Sequence, residues 1–344
     1  MPTVLDSLNS ALHRALTDIK EVYLLGEDIL DPYGGAFKVT RGCSTNFPDR
    51  VLTTPVSEAG IVGIATGMAL RGLRPVVEIM FGDFITLAAD QIINHIAKFR
   101  WMYNDQVKLP LVIRTPMGGR RGYGPTHSQT LEKLFLGVPG LQVLAPVALS
   151  EAEGSGSPGD LLYQCILKSD QPTLFIENKL QYNLPVSTQE DLKDFTLTID
   201  QAQEAINIPT YRLTIQGAPP AKLTLAAYGY MAELARQAAM RLAYEQEIFT
   251  ELVIPTRLSP YNIDLIQSSA SQTGSLLVIE EGTLTLGWGA EVLARLVESP
   301  HGQQIKLQRL AAKEIPIPAS GPLEAETLPG LDHIINAAVQ LIHG

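Results

Sequence analysis

The stretch Val51-Leu52-Thr53-Thr54-Pro55-Val56-Ser57-Glu58-Ala59-Gly60-Ile61-Val62-Gly63-Ile64-Ala65-Thr66-Gly67-Met68-Ala69 hands an apolar strand, Val51 to Thr53, over to a glycine-rich apolar helix. Ser57 is placed to cap that helix, which puts Glu58 in the first turn, where free amides and the helix dipole favour an anion. Gly60, Gly63 and Gly67 recur at helical spacing and give the helix a face that a second backbone can approach closely. Nothing in packing asks for an acid at this corner. The plain alternative is a carboxylate that only steadies the helix start.

Outward from this corner, short branched-apolar runs alternate with helix-like runs: Val22 to Leu25, Pro75 to Ile79, Leu111 to Arg114, Gln142 to Ala145 and Thr173 to Ile176 read as strands. Asp83 to Tyr103 reads as an amphipathic helix, with Ala88, Ile92, Ile93 and Ile96 on one face. Such alternation predicts a parallel sheet with helices on both faces, and ligands beyond the carboxyl ends of its strands. The loops starting at Gly26, Pro55, Met80 and Thr115 are therefore where chemistry is expected. From Leu184 to Lys222 the pattern loosens into a proline-rich connection over the surface, with room for a strand or two. A second alternating region follows, with strands at Leu223 to Tyr228, Phe249 to Ile254, Ser275 to Glu280 and Ile305 to Leu310. The fold class is thus α/β in two domains, 1–184 and 223–344, joined by a connecting segment, 185–222.

At 344 residues the chain can bury two cores, and 45% hydrophobic with 18% charged residues is a globular composition. A net charge of -10 argues against nucleic acid or an anionic membrane as partner. Cys43 and Cys165 are too few and too far apart for a metal motif and are expected to be reduced thiols. The N-terminus lacks the basic and apolar regions of a signal peptide, and no apolar run is long enough to span a bilayer; a cytoplasmic protein is expected.

No Gly-x-Gly-x-x-Gly follows the first strand and no Walker-type Gly-Lys-Ser/Thr occurs. Gly118-Gly119-Arg120-Arg121-Gly122-Tyr123-Gly124 reads as a mobile loop with solvated arginines, and His127 just after it offers a proton-exchanging imidazole, though a lone loop histidine is more often a surface residue. Phe81, Asp83 and Phe84 sit at a strand-to-helix corner; they are either core and cap, or present a ring to a flat cofactor. Gly154-Ser155-Gly156-Ser157-Pro158-Gly159 reads as a flexible loop. His13, His95, His301, His333 and His343 give no metal triad.

Taken in order, Gly26-Glu27-Asp28, Tyr33 to Gly42, Thr54 to Glu58, Glu78 to Phe84, His127-Ser128-Gln129 and Pro139-Gly140-Leu141 resemble the beta subunit of the thiamine-diphosphate-dependent decarboxylating component of 2-oxoacid dehydrogenases, of the pyruvate, branched-chain and acetoin types. Val278 to Gly282, Gly287 to Glu291 and Ile315 to Pro318 extend the likeness over nearly the whole chain. The resemblance implies a pyrimidine-binding domain followed by a transketolase-type C-terminal domain. It implies oxidative decarboxylation of a 2-oxoacid with acyl transfer to lipoyl-lysine. Glu58 matches the acid that hydrogen-bonds the cofactor's aminopyrimidine, Phe84 the aromatic that packs on that ring, and Met80 a residue lining the same pocket. Glu27 matches the acid of the water path between paired sites, and His127 the histidine facing the reacting intermediate and the lipoyl group.

Cofactors of this class need a Gly-Asp-Gly segment to hold magnesium and the diphosphate, and none occurs here. The resemblance therefore implies an alpha-like subunit carrying that half-site, in a two-alpha, two-beta tetramer, with a lipoyl acyltransferase core as a further partner. The turn at Cys165 to Pro172 lacks the Asn of the family's potassium-binding Asp-x-Asn-Pro, and the Gly/Ser insert replaces an Ala-Lys-Gly-Leu run. Those departures point to the alternative function, half of a split transketolase-like or acyloin-forming enzyme in a specialised pathway. A scaffold subunit without turnover is the non-enzymatic option, and retention of both Glu58 and His127 speaks against it.

Overall fold

The computed structural model describes residues 1–201, 205–300 and 302–344; His301 and positions 202–204 of the expected connection lie outside them. The first sheet runs β11-β5-β6-β4-β3-β1-β2, from β1 (Val22–Gly26), β2 (Val51–Thr53), β3 (Arg74–Glu78), β4 (Val112–Met117), β5 (Gln142–Leu144), β6 (Thr173–Asn178) and β11 (Arg257–Ser259). Every neighbouring pair is parallel except β5 with β11. The second sheet runs β13-β12-β9-β10-β8-β7, from β7 (Phe195–Gln201), β8 (Pro209–Ile215), β9 (Leu223–Ala227), β10 (Thr250–Pro255), β12 (Ser275–Thr283) and β13 (Lys306–Ala312). Its first four strands are parallel, and β8 and β7 form an antiparallel edge hairpin. The α/β class expected from the alternation is what the chain adopts.

Helices cover the sheets: α1 (Val4–Asp18), α2 (Cys43–Asn46), α3 (Glu58–Leu70), α4 (Phe99–Met102), α5 (Pro158–Lys168), α6 (Gly229–Gln246), α7 (Asp264–Thr273), α8 (Trp288–Glu298), α9 (Gly321–Thr327) and α10 (Leu331–His343). The first of them starts where Thr3 and Asp6 form a reciprocal capping box, and its Val4, Leu8, Leu12 and Leu16 are buried against α5. Ser157 accepts from the Asp160 amide and Pro158 occupies the first turn of α5. The Gly/Ser run expected to be a loop therefore ends as the start of a helix.

Two further expectations are corrected, and a third, the strand or two allowed for within 185–222, is met. Asp83 to Tyr103 is not one helix: a 3-10 segment at Gly82–Ala88 and a π segment at Gln91–Ile96 precede α4. Its apolar face still packs inward through Ile85, Ala88, Ile92 and Ile96, but the Thr86 hydroxyl takes the Asp83 carbonyl at 3.0 Å, competing with the regular ladder. Within the stretch 185–222 lies the β7–β8 hairpin, with Phe195, Tyr211 and Leu213 on the core of the second sheet. Ser57 precedes α3 as expected, yet its side chain makes no capping hydrogen bond.

Register sets the functional rim. Gly26 pairs with both Thr53 and Glu78, Glu78 with Arg114, and Met117 with Asn178. The segments following β1, β2, β3, β4 and β6 thus leave the sheet along one edge. Gly26 is required there because a Cβ would lie 2.9 Å from the Glu78 carbonyl oxygen. Just beneath, the buried Arg114 donates to Glu177 at 2.8 Å and 2.5 Å and to Glu78, and Tyr182 donates to Glu177 at 2.6 Å. Burial outweighs the guanidinium and raises the Glu78 pKa, while the two carboxylates hold Arg114 charged.

Candidate active site

Glu58 opens α3 and is 5% exposed. Among the described residues no hydrogen bond or ion pair engages its carboxylate. The side chain is enclosed, but its oxygens are not among the atoms shut off from solvent, so the carboxylate faces an opening where a group from outside the chain is the natural complement. Glu27, at the end of β1, is buried beside it: burial first, and the charge of Glu58 second, raise the Glu27 pKa, while the Ser57 amide donates to it. One Glu27 oxygen, Oε1, stays buried without a partner. The two acids therefore share one pocket of negative potential at the rim.

Met80 and Phe84 follow β3; both are half-buried, and the 3-10 segment carrying Phe84 packs against α3. His127 lies edge-on between Phe84 and Phe81, at centroid distances of 5.1 Å and 4.9 Å. The structure thus brings Phe84 and His127 together, and Glu27 and Glu58 together, on the rim formed by β1, β2 and β3. Phe81, half-buried, is the hub: Phe37, Phe84 and Tyr123 surround it at 5.5, 5.8 and 6.0 Å. The Thr126 hydroxyl lies 3.0 Å from His127 Nδ1, which leaves Nε2 as the nitrogen free to exchange a proton.

The glycine-rich loop before His127 departs from expectation. Gly119 N–H donates to Glu281 at 2.8 Å, and the amides of Arg120 and Gly122 donate to Glu324 at 2.7 and 3.1 Å. Arg120 is not solvated; it donates to the Pro329 carbonyl, while Arg121 lies over Phe37 at 5.7 Å. Two acids from the second half therefore clasp the loop, and Asp83 holds its far end through the Gln129 amide and side chain at 3.3 and 2.8 Å. Glu132 and Glu280, also buried between the halves, accept from the Tyr228 hydroxyl and, at 3.1 Å, the Gly289 amide; burial raises Glu280 to about 7. Sequence reasoning missed Lys179, Glu281 and Glu324. A polar Glu-Asn-Lys run at the end of an apolar strand was the available signal for the first.

Two chemistries are available here: an acid placed to hold a proton on a basic ring nitrogen, and an aromatic wall with an imidazole for the reacting end. Thiamine diphosphate fits both. Its aminopyrimidine would find a partner in the Glu58 carboxylate, and Phe84 would supply a flat apolar face. A metal does not find its ligands here: among the described residues no group of three or more His, Cys, Asp or Glu is arranged to hold one.

Comparison with known proteins agrees with this geometry. Residues 1–185 match the model of the transketolase pyrimidine-binding domain, and residues 216–334 that of the transketolase C-terminal domain. The pyruvate dehydrogenase E1 component subunit beta-2, mitochondrial, of Oryza sativa subsp. japonica is 35% identical over 340 residues, covering 98% of this chain and 85% of the relative. This chain belongs to the thiamine-diphosphate-dependent E1 beta-subunit family. The Bacillus subtilis acetoin:2,6-dichlorophenolindophenol oxidoreductase subunit beta is 31% identical, over 98% of this chain and 96% of its own length. A solved split gene transketolase, described as an inactive beta4 tetramer, superposes with a TM-score of 0.73 over 99% of both chains at 18% identity, and so speaks for the fold alone. As a member of this family the subunit is one part of an enzyme, and the resemblance first read from Glu58 and its neighbouring motifs is borne out.

Proposed function

We propose that this chain is the beta subunit of a thiamine-diphosphate-dependent 2-oxoacid dehydrogenase and turns over only with an alpha-like subunit. One observation carries it: an enclosed acid at a helix start whose carboxylate has no partner within the chain and faces an opening, on a chain with no Gly-Asp-Gly segment. When bound, the cofactor supplies the electron sink for decarboxylation. Glu58 holds the proton on the aminopyrimidine and so sets its tautomer. Phe84 and Met80 line the ring's pocket, and Glu27, beside Glu58, belongs to the water path between paired sites. His127, through Nε2, serves the proton transfers of the acyl group's departure to lipoyl-lysine. The alpha-like subunit brings the diphosphate and magnesium ligands in a two-alpha, two-beta tetramer. Its support is the apolar rim around α3, where Val56 is 80% exposed and Ile64 and Leu87 are also exposed.

The test is co-expression with the alpha-like chain, followed by a screen of 2-oxoacids with lipoamide or an aldehyde as acceptor. Turnover with lipoamide is expected; turnover with aldehyde alone would reassign the chain to acyloin formation. Calorimetry on the lone chain should give no tight magnesium-dependent binding of thiamine diphosphate, and tight binding would refute the divided site.

A further inference from the structure

Lys179 follows β6 on the rim and is wholly buried, with 0% exposure. An ammonium in that position is expensive, and a methionine of similar length would fill the space without the desolvation cost. Burial lowers its pKa to about 8, against the opposing pull of Asp83 and Glu281. What the ammonium touches is specific. Its Nζ donates to the backbone carbonyl of His127 and lies 5.2 Å from the Phe81 ring centroid and 5.7 Å from that of Tyr123. Phe81 in turn stands edge-on to the His127 imidazole at 80°. The lysine thus reaches the histidine twice, directly at the main chain and through Phe81 at the ring.

The loop needs such a hold. Between β4 and His127 it passes through positive φ at Gly118, Arg120, Gly122 and Gly124, so its own backbone does little to fix where the histidine ends up. The clasps from Glu281 and Glu324 fix the early part of the loop and Asp83 fixes Gln129 past its end, which leaves His127 itself between the two holds. We propose that Lys179 is a positioning residue for His127, holding the imidazole against Phe81 and Phe84 so that Nε2 faces the reacting group. The proposal rests on the function argued above for His127. A lysine that merely balanced buried acids would act on stability and on the whole site alike; a positioning lysine acts on the step His127 serves.

The experiment uses the complex with the alpha-like subunit, comparing wild type with K179M, K179Q, H127A and K179M/H127A. A hydrogen bond to a charged group is worth roughly tenfold to hundredfold in rate when lost. K179M is expected to lower kcat for acyl transfer to lipoamide by that factor with cofactor affinity unchanged. K179Q, which can still donate to the carbonyl, should lose less. In the H127A background the K179M effect should vanish. Multiplying losses in the double variant, an unchanged kcat in K179M, or an equal fall in cofactor affinity would each overturn the proposal. A second readout needs no turnover: the full chain with carbon-13-labelled histidine. Ring currents from Phe81 and Phe84 should displace the His127 imidazole resonances in wild type, and K179M should move them towards free-histidine positions. Unmoved resonances refute the inference even if K179M assembles poorly. A wild-type complex inactive on every 2-oxoacid would instead strike at the proposed function.

Discussion

Replacing Glu58 by glutamine keeps the shape of the side chain and removes its charge, which isolates the role assigned to that charge. With the residue only 5% exposed, its carboxylate lies in an enclosed site and is screened less than a surface acid. A unit charge pair at about 4 Å is worth about 4 kcal/mol at an effective dielectric of about 20, against about 1 kcal/mol in water. With a tenfold rate change for every ~1.4 kcal/mol, E58Q should slow the activated step by about 10²- to 10³-fold. Loss of the helix-dipole interaction at the first turn costs only about 0.5 kcal/mol, so folding and assembly should survive. The assay is quenched-flow deuterium exchange at the cofactor's thiazolium carbon in the complex, with steady-state decarboxylation alongside. Because Glu58's charge is the second cause of the raised Glu27 pKa, E58Q should also lower the pKa of Glu27. A loss below tenfold with cofactor bound would mean that Glu58 acts as though bathed in water, and the assigned role would fall.

Two other outcomes follow from the packing. Glu280 has its pKa raised to about 7 by burial, so the folded chain keeps a proton that the unfolded chain has released, and stability falls as pH rises from about 4.5 through about 7. E280Q should remove that dependence, gaining up to about 3 kcal/mol on the wild type between pH 5 and pH 8 in urea titrations; parallel pH profiles would contradict it. Gly159 sits where a Cβ would lie 2.1 Å from the Ser7 carbonyl oxygen, so G159A should pry α1 from α5 at a cost of about 1–3 kcal/mol, read as a lower Tm. An unchanged Tm would mean the two helices slide apart freely.

Much of the molecule was legible because parallel strands buried on both faces announce themselves as short branched-apolar runs; β1, β3, β4 and β6 fall within a few residues of where Val22, Pro75, Leu111 and Thr173 begin those runs. The β7–β8 hairpin was legible only as an allowance for a strand or two, because an edge hairpin buries one face and its polar alternation, with Pro209 at a strand start, looks like a connection. The glycine-rich loop was misjudged for a different reason. Its local sequence permits motion, while Glu281 and Glu324, more than 150 residues away, forbid it. Of the site, Glu58 stood out because a lone acid in an apolar stretch is rare, while Phe84 and His127 were candidates matched by plain core and surface readings until the family likeness gave them roles. Lys179 was overlooked: the polar Glu177-Asn178-Lys179 run closing an apolar strand hinted at it, but only the fold's enclosure of the ammonium sets it apart.

The strand Arg257–Ser259 comes from the second half of the chain and completes the first sheet, with Ser259 donating to the Leu136 carbonyl at 2.6 Å. The two halves are therefore sewn to each other, and neither can be cut free without tearing an edge from its neighbour. A fragment ending before β9 would expose β5 as an unpaired template for aggregation. Gating of access to the rim must then come from loops or from the apposed subunit, since a hinge between the halves would have to break a sheet each time it opened.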